Sequence, residues 1–210
     1  MFEIIEEGFG AKIKIIGEKN FEVEGVDFVK NDSESLKDAD VIFVIGNENT
    51  KKFSETAKNY DALKIAIVEE EIVNLNVDSY FVVDDKSLAE KIIRAIADLV
   101  AVPGLVNLDI VDVKSILEGS GKSYVKVGES SGKNAAVKAI KSAIDSSLKN
   151  AKGILLNILG ATDSVSMMEV NEASIKIQEA AHEDAEIIWG VSIDESVGDK
   201  VFVTIIATKF

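Results

Sequence analysis

The chain has 210 residues, 47% hydrophobic and 29% charged, enough apolar material for one large domain or two small ones with cores of their own. Its 23 basic and 37 acidic residues give a net charge of −14, which removes the phosphate attraction behind nonspecific nucleic-acid binding, disfavours anionic membranes, and points to a protein partner. With no cysteine and a single histidine, disulfides, thiolate metal sites and cysteine nucleophiles are excluded, and His182 in AAHEDAE reads as a surface-loop residue with no serine placed to use it as a base.

In chain order, MFEIIEEG is too acidic and too short for a secretory signal, and no apolar run reaches the length that spans a bilayer, so the cytoplasm is expected. Five β-rich runs follow: AKIKIIG, VDFVKND, VIFVIG, ALKIAIV and DSYFVV. Runs such as Val41–Ile45 and Ile65–Val68 are apolar on both faces, the pattern of parallel strands covered by helices, and the fold class is α/β here. NTKKFSETAKNYDA fits a crossover helix, whereas the gap from Gly17 to Val26 is too short for a helix and two turns. Glu69-Glu70-Glu71 reads as a solvated loop, with a metal-binding acidic loop as the alternative.

From Asp84, DDKSLAEKIIRAIADLVAV carries apolar residues at a 3.6-residue period and stops before Pro103-Gly104, which predicts a connecting helix. Beyond it the pattern predicts an α+β unit: helix 109–117, strand 124–128, helix 134–146, strand 153–159, helix 167–181 and strands 186–193 and 200–208. The last two strands are expected to form a hairpin across DESVGD, with Gly198 in a left-handed position. Trp189 is expected in the core or wedged between the units, and Met167-Met168 in ordinary helix packing.

The stretch EGSGKSYVKVGESSGKNA holds two Gly-Lys pairs, but neither satisfies the phosphate-loop pattern of glycine, four residues and Gly-Lys-Ser/Thr between a strand and a helix. Before Gly121-Lys122-Ser123 the leading position is Ile116, and the order is helix, loop, strand. Before Gly132-Lys133 the spacer from Gly128 is three residues, and Asn134 replaces the hydroxyl that would hold Mg²⁺. Gly119, Gly121, Gly128 and Gly132 are therefore assigned to turns needing positive φ.

At the junction of the two units, VPGLVNLDIVDVKSIL resembles the loop and helix of the FtsZ family, the bacterial tubulin homologues that polymerise into the cell-division ring. The likeness runs on through VGESSGKNAAVKAIKSAIDS, AKGILLNILGATDSVSMMEVNEASIKIQEAA and IIWGVSIDESVGDKVFVTIIATKF. It implies a reduced Rossmann-like GTPase domain at 1–83, a connecting helix at 84–102 and an FtsZ-like C-terminal domain with a four-stranded sheet at 103–210. In the family the junction loop enters the GTP pocket of the next subunit, and the matching positions are Gly104, Leu105, Asn107, Asp109 and Asp112. The resemblance makes Asn107, Asp109 and Asp112 catalytic in trans only, by orienting water at a partner's γ-phosphate. Read from the residues alone, Asn107 or Asp109 caps a helix whose first turn holds Asp112, and both readings stand.

The N-terminal half resembles the family in pieces, without its nucleotide-binding parts. Gly17 runs into Glu18-Lys19-Asn20-Phe21 where a glycine-rich loop is expected, and VIFVIG runs into Asn47-Glu48-Asn49-Thr50-Lys51 where the family's glycine-threonine loop cradles phosphates. The resemblance thus implies a pseudo-GTPase without a cofactor or metal of its own, meeting GTP only through a partner subunit, and not itself an enzyme. The chain ends at ATKF, where the family's globular part ends, so no membrane-adaptor tail is expected. Its expected partner is FtsZ or an FtsZ-like protein at the division site, which it would regulate or cap; stimulating a neighbour's hydrolysis, or assembling with itself without nucleotide, are the alternatives.

Overall fold

The computed structural model describes residues 10–17, 21–30, 32–46 and 49–209. MFEIIEEG and the positions Glu18, Lys19, Asn20, Asn47 and Glu48 lie outside them, as does Phe210.

The five β-rich runs become β1 (Ile13–Gly17), β2 (Val26–Phe28), β3 (Val41–Ile45), β4 (Leu63–Val68) and β5 (Ser79–Val82). They pair in parallel in the order β2-β1-β3-β4-β5, and a two-residue strand, β6 (Gly121–Lys122), adds to β5 from far along the chain. Because successive side chains of a strand point to opposite faces, this sheet builds two cores. Ile13, Ile15, Val41, Phe43, Ile65 and Phe81 face α3 (Lys86–Val100) and α4 (Ile110–Leu117). Ile16, Ile42, Val44, Ala66 and Val68 face α1 (Ser33–Leu36) and α2 (Thr50–Ala57). Double coverage explains why β3 is buried at all five positions.

α3 is the expected connecting helix. Asp85 caps it by accepting from the Ser87 N–H at 2.8 Å, and it ends ahead of Pro103, whose preceding residue disfavours helix. Beyond α4 come β7 (Tyr124–Ser131), α5 (Ala135–Ala143), β8 (Gly153–Gly160), α6 (Met167–Ala180), β9 (Glu186–Ile193) and β10 (Lys200–Thr208). Their sheet runs β7-β10-β8-β9, antiparallel except for β8 with β9. α5 and α6 pack on one face with β8, β9 and β10, while α3 and α4 lie against the other.

Three expectations are corrected here. β9 and β10 do not form a hairpin: the fully buried β8 lies between them, and the turn after β9 crosses its end with Gly198 at φ +63°. The apolar GILLNILG needs a partner on each edge, and this overrides adjacency in the chain. Met167 and Met168, at the start of α6, are 49% and 81% exposed rather than packed. Gly119, Gly121 and Gly132 do hold positive φ, but Gly128 is buried inside β7, where a Cβ would stand 1.9 Å from the Ala139 carbonyl oxygen of α5. It is there for close approach of backbone to backbone.

Candidate functional site

The junction loop, 101–109, is fixed at both ends by backbone geometry. Val106 and Val191 of β9 exchange hydrogen bonds at 3.2 and 3.0 Å, which knits the loop onto the free edge of the C-terminal sheet. Gly104 makes this possible, since a Cβ there would stand 2.4 Å from the Val191 carbonyl oxygen. Gly104→Ala is expected to push the loop off β9 at a cost of about 1–3 kcal/mol, read as a lower urea midpoint with faster amide exchange at Val106. An unchanged midpoint would contradict this packing.

The loop brings the sequence-selected residues together but gives them different work. The side chain of Asn107 is taken up locally: its Oδ1 accepts from the Gly104 N–H at 2.8 Å, and its Nδ2 donates to the Val102 carbonyl at 2.6 Å and to the Leu99 carbonyl at 3.5 Å. It ties the loop to the last turn of α3. Asp109 is the N-cap of α4, accepting from the Val111 N–H at 3.0 Å. Asp112 sits in the first turn, exposed, and its carboxylate makes no hydrogen bond or ion pair among the described residues. Leu105 of the loop and Val111 of α4 are 51% and 66% exposed. The loop and the first turn of α4 thus present a carboxylate without a partner among the described residues and two exposed apolar side chains.

Beyond the carboxyl ends of β3, β4 and β5 the described residues leave little free space. In open α/β sheets ligands bind beyond the carboxyl ends of the strands. Among the described residues, the crevice there encloses about 20 Å³, room for about one water, where a small-molecule pocket takes ~300–1,000 Å³. Phe21, 5% exposed, packs into it, with the Lys86 ammonium 5.5 Å from its ring centre. Glu69, Asp84 and Asp85 line the rest. Phe21 carries weight that sequence reasoning missed, and the signal was one aromatic residue in an otherwise polar crossover. Glu71, considered above for metal, accepts from Lys122 Nζ at 3.1 Å and the Tyr80 hydroxyl at 3.2 Å, which hold its carboxyl below the usual range. His182 lies in the loop after α6, its Nδ1 accepting from the Asp184 N–H at 3.1 Å.

Residues 121–210, from β6 to the end of the chain, match the model of the FtsZ family, C-terminal domain. The match covers 90 of the 210 residues. The fold of the whole is FtsZ-like too. An empty FtsZ dimer from M. jannaschii superposes with a TM-score of 0.72 at 22% identity, over 84% of this chain and 65% of that one. A GTPγS-bound protofilament of CetZ2 from Haloferax volcanii gives 0.61 at 14% identity, over 84% and 68%. CetZ from Methanosaeta thermophila gives 0.58 at 17%, over 84% and 64%. The chain therefore spans about two thirds of the length of these FtsZ-fold proteins. No helix among the described residues is long and apolar enough to cross a membrane.

Proposed function

We propose that the protein is an FtsZ-like pseudo-GTPase that docks through its junction loop on the GTP-bearing face of FtsZ or an FtsZ-like partner, and caps or regulates division filaments. What supports it is the contrast between two sites: an exposed Asp112 without a partner among the described residues, and a narrow crevice occupied by Phe21 and lined by three carboxylates against the one ammonium of Lys86, which lies over the Phe21 ring, where a phosphate would have to bind. Negative charge there repels an anionic ligand. A subunit of this kind adds to one end of a filament and offers no nucleotide for the next. Similar structures are described as a dimer and a protofilament, which supports contact with a like partner.

On this reading the site residues divide. Asn107 and Gly104 shape the loop, Asp109 holds the helix end, Leu105 and Val111 supply apolar contact, and Asp112 reaches the partner's nucleotide. A carboxylate so placed accepts a hydrogen bond from water and orients it in line with the departing phosphate. The exposed Asp112 also favours a second reading, that docking stimulates one round of hydrolysis in the partner.

The test is the polymer mass of FtsZ with GTP, titrated with this protein at substoichiometric ratios. A steep fall is expected, with Asp112→Ala binding but failing to stimulate GTP turnover. Unchanged assembly at molar excess would overturn the reading, and nucleotide-free oligomers of the pure protein in light scattering would replace it with self-assembly.

A further inference from the structure

The contact between α3 and the C-terminal sheet holds a buried carboxylate that docking does not use. Asp98, near the end of α3, is 5% exposed, and a carboxylate so buried must be well paired or take up a proton. Its partner is shared. Arg94, one turn earlier, donates from Nε to Asp98 at 3.3 Å and from Nη2 to Asp194 in the turn after β9. Asp194 also accepts from the Ser196 N–H at 2.8 Å. One guanidinium thus serves a carboxylate on its own helix and another across the interface. Among the described residues, the other charged groups around it are Glu22 and Glu24 from the segment before β2, Glu90 and Lys91 on α3, and Glu195 beside Asp194; the acidic ones and Arg94 surround a cavity of about 440 Å³. Arg94 and Asp98 also line a second cavity of about 230 Å³ against the C-terminal sheet, so the guanidinium has room to change its partner.

We propose that Asp98, Arg94 and Asp194 form a proton-operated latch between α3 and the C-terminal sheet, tightened by acid and released toward neutral pH. A neutral Asp98 leaves the whole guanidinium to Asp194, and the bond across the interface strengthens. An ionised Asp98 is a buried anion close to Asp194 and Glu24, and it draws Arg94 back along its own helix. Burial raises the Asp98 carboxyl to about 6 against the pull of Arg94, with Asp194 and Glu24 adding to the rise. The effect reaches the junction loop, because Val191 of β9 pairs with Val106, and the Leu99 carbonyl, next to Asp98, accepts from the Leu108 N–H at 2.9 Å.

Trp189, the only tryptophan, lies on β9 with its side chain against the α5–α6 core, on the sheet face away from α3, and senses the contact through the strand it sits on. Its emission, and amide exchange across residues 104–108, would be followed from pH 5 to 7.5. The expected result is one transition with a midpoint near 6 and slower exchange on the acid side. It should vanish in Asp98→Asn and move to lower pH in Asp194→Asn, where a neighbouring anion is gone and Arg94 turns to Asp98. A flat wild-type profile, or a transition that survives Asp98→Asn, overturns the latch. If Asp98→Asn fails to fold, Asp194→Asn decides, and an unmoved midpoint refutes it. The measurement needs neither FtsZ nor nucleotide, so its outcome is independent of the docking reading.

Discussion

Gly128→Ala is expected to cost about 3 kcal/mol or more, at the upper end of what overpacking a close-packed interior does. The added methyl would stand 1.9 Å from the Ala139 carbonyl oxygen and 2.6 Å from Ser142 Oγ. The carbonyl belongs to the backbone of α5, which is held by buried Ala135, Ala136, Ala139 and Ile140, so it cannot give way without moving the helix. β7 cannot retreat either, because Gly128 is in register with Val203 of β10. For a chain of this size the loss corresponds to roughly 6–12 °C in Tm. Gly160→Ala is the internal comparison: its methyl would meet Val165 Cγ2 at 2.5 Å, a side chain that can rotate, and the cost should be smaller. Equal losses in urea melts of the two variants would show that the β7–α5 approach is not what requires glycine.

Asp98→Asn is expected to act in the opposite direction and to stabilise the protein at pH 7.5. The native state binds the Asp98 proton more tightly than the unfolded chain does, with the carboxyl near 6 rather than 3.8. Stability from this group is therefore fully present below about pH 4 and is lost as the pH rises through about 6. A shift of that size is worth roughly 2–3 kcal/mol. Asparagine keeps the shape without the charge, so its advantage over the wild type should be largest above pH 7 and shrink toward pH 4. Asp194 has the reverse linkage: Ser196 and Arg94 lower its carboxyl to about 2, and its contribution is present above about pH 4 and lost as the pH falls toward 2. The wild type should be most stable at mildly acidic pH. Melts from pH 4 to 8 check both, and a constant gap between wild type and Asp98→Asn would contradict the linkage.

The parallel sheet was legible because its physics is local: β3 and β4 are apolar on both faces, and only helices on both sides can satisfy that. What failed was everything decided by remote partners. Alternation in β9 and β10 is the same whether they pair with each other or flank β8. Nothing in Gly121-Lys122 announces that it will complete a sheet begun a hundred residues earlier. Gly128 looked like a turn residue because the carbonyl that excludes a side chain arrives from α5. At the candidate site the residue types single out the junction loop, yet only geometry separates Asn107, whose amide is taken up by the backbone, from Asp112, whose carboxylate has no partner among the described residues. The Arg94–Asp194 pair joins positions a hundred residues apart, beyond any spacing rule.

α3 belongs to both halves of the molecule. Ile92, Ile93, Ile96 and Leu99 share one core with Phe43 and Phe81 of the first sheet and with Leu155 and Ile206 of the second. Melting either sheet would expose that helix and strip the other sheet of its cover. A helix shared in this way leaves neither sheet a core of its own on that side, and the two sheets are expected to unfold as a single cooperative unit.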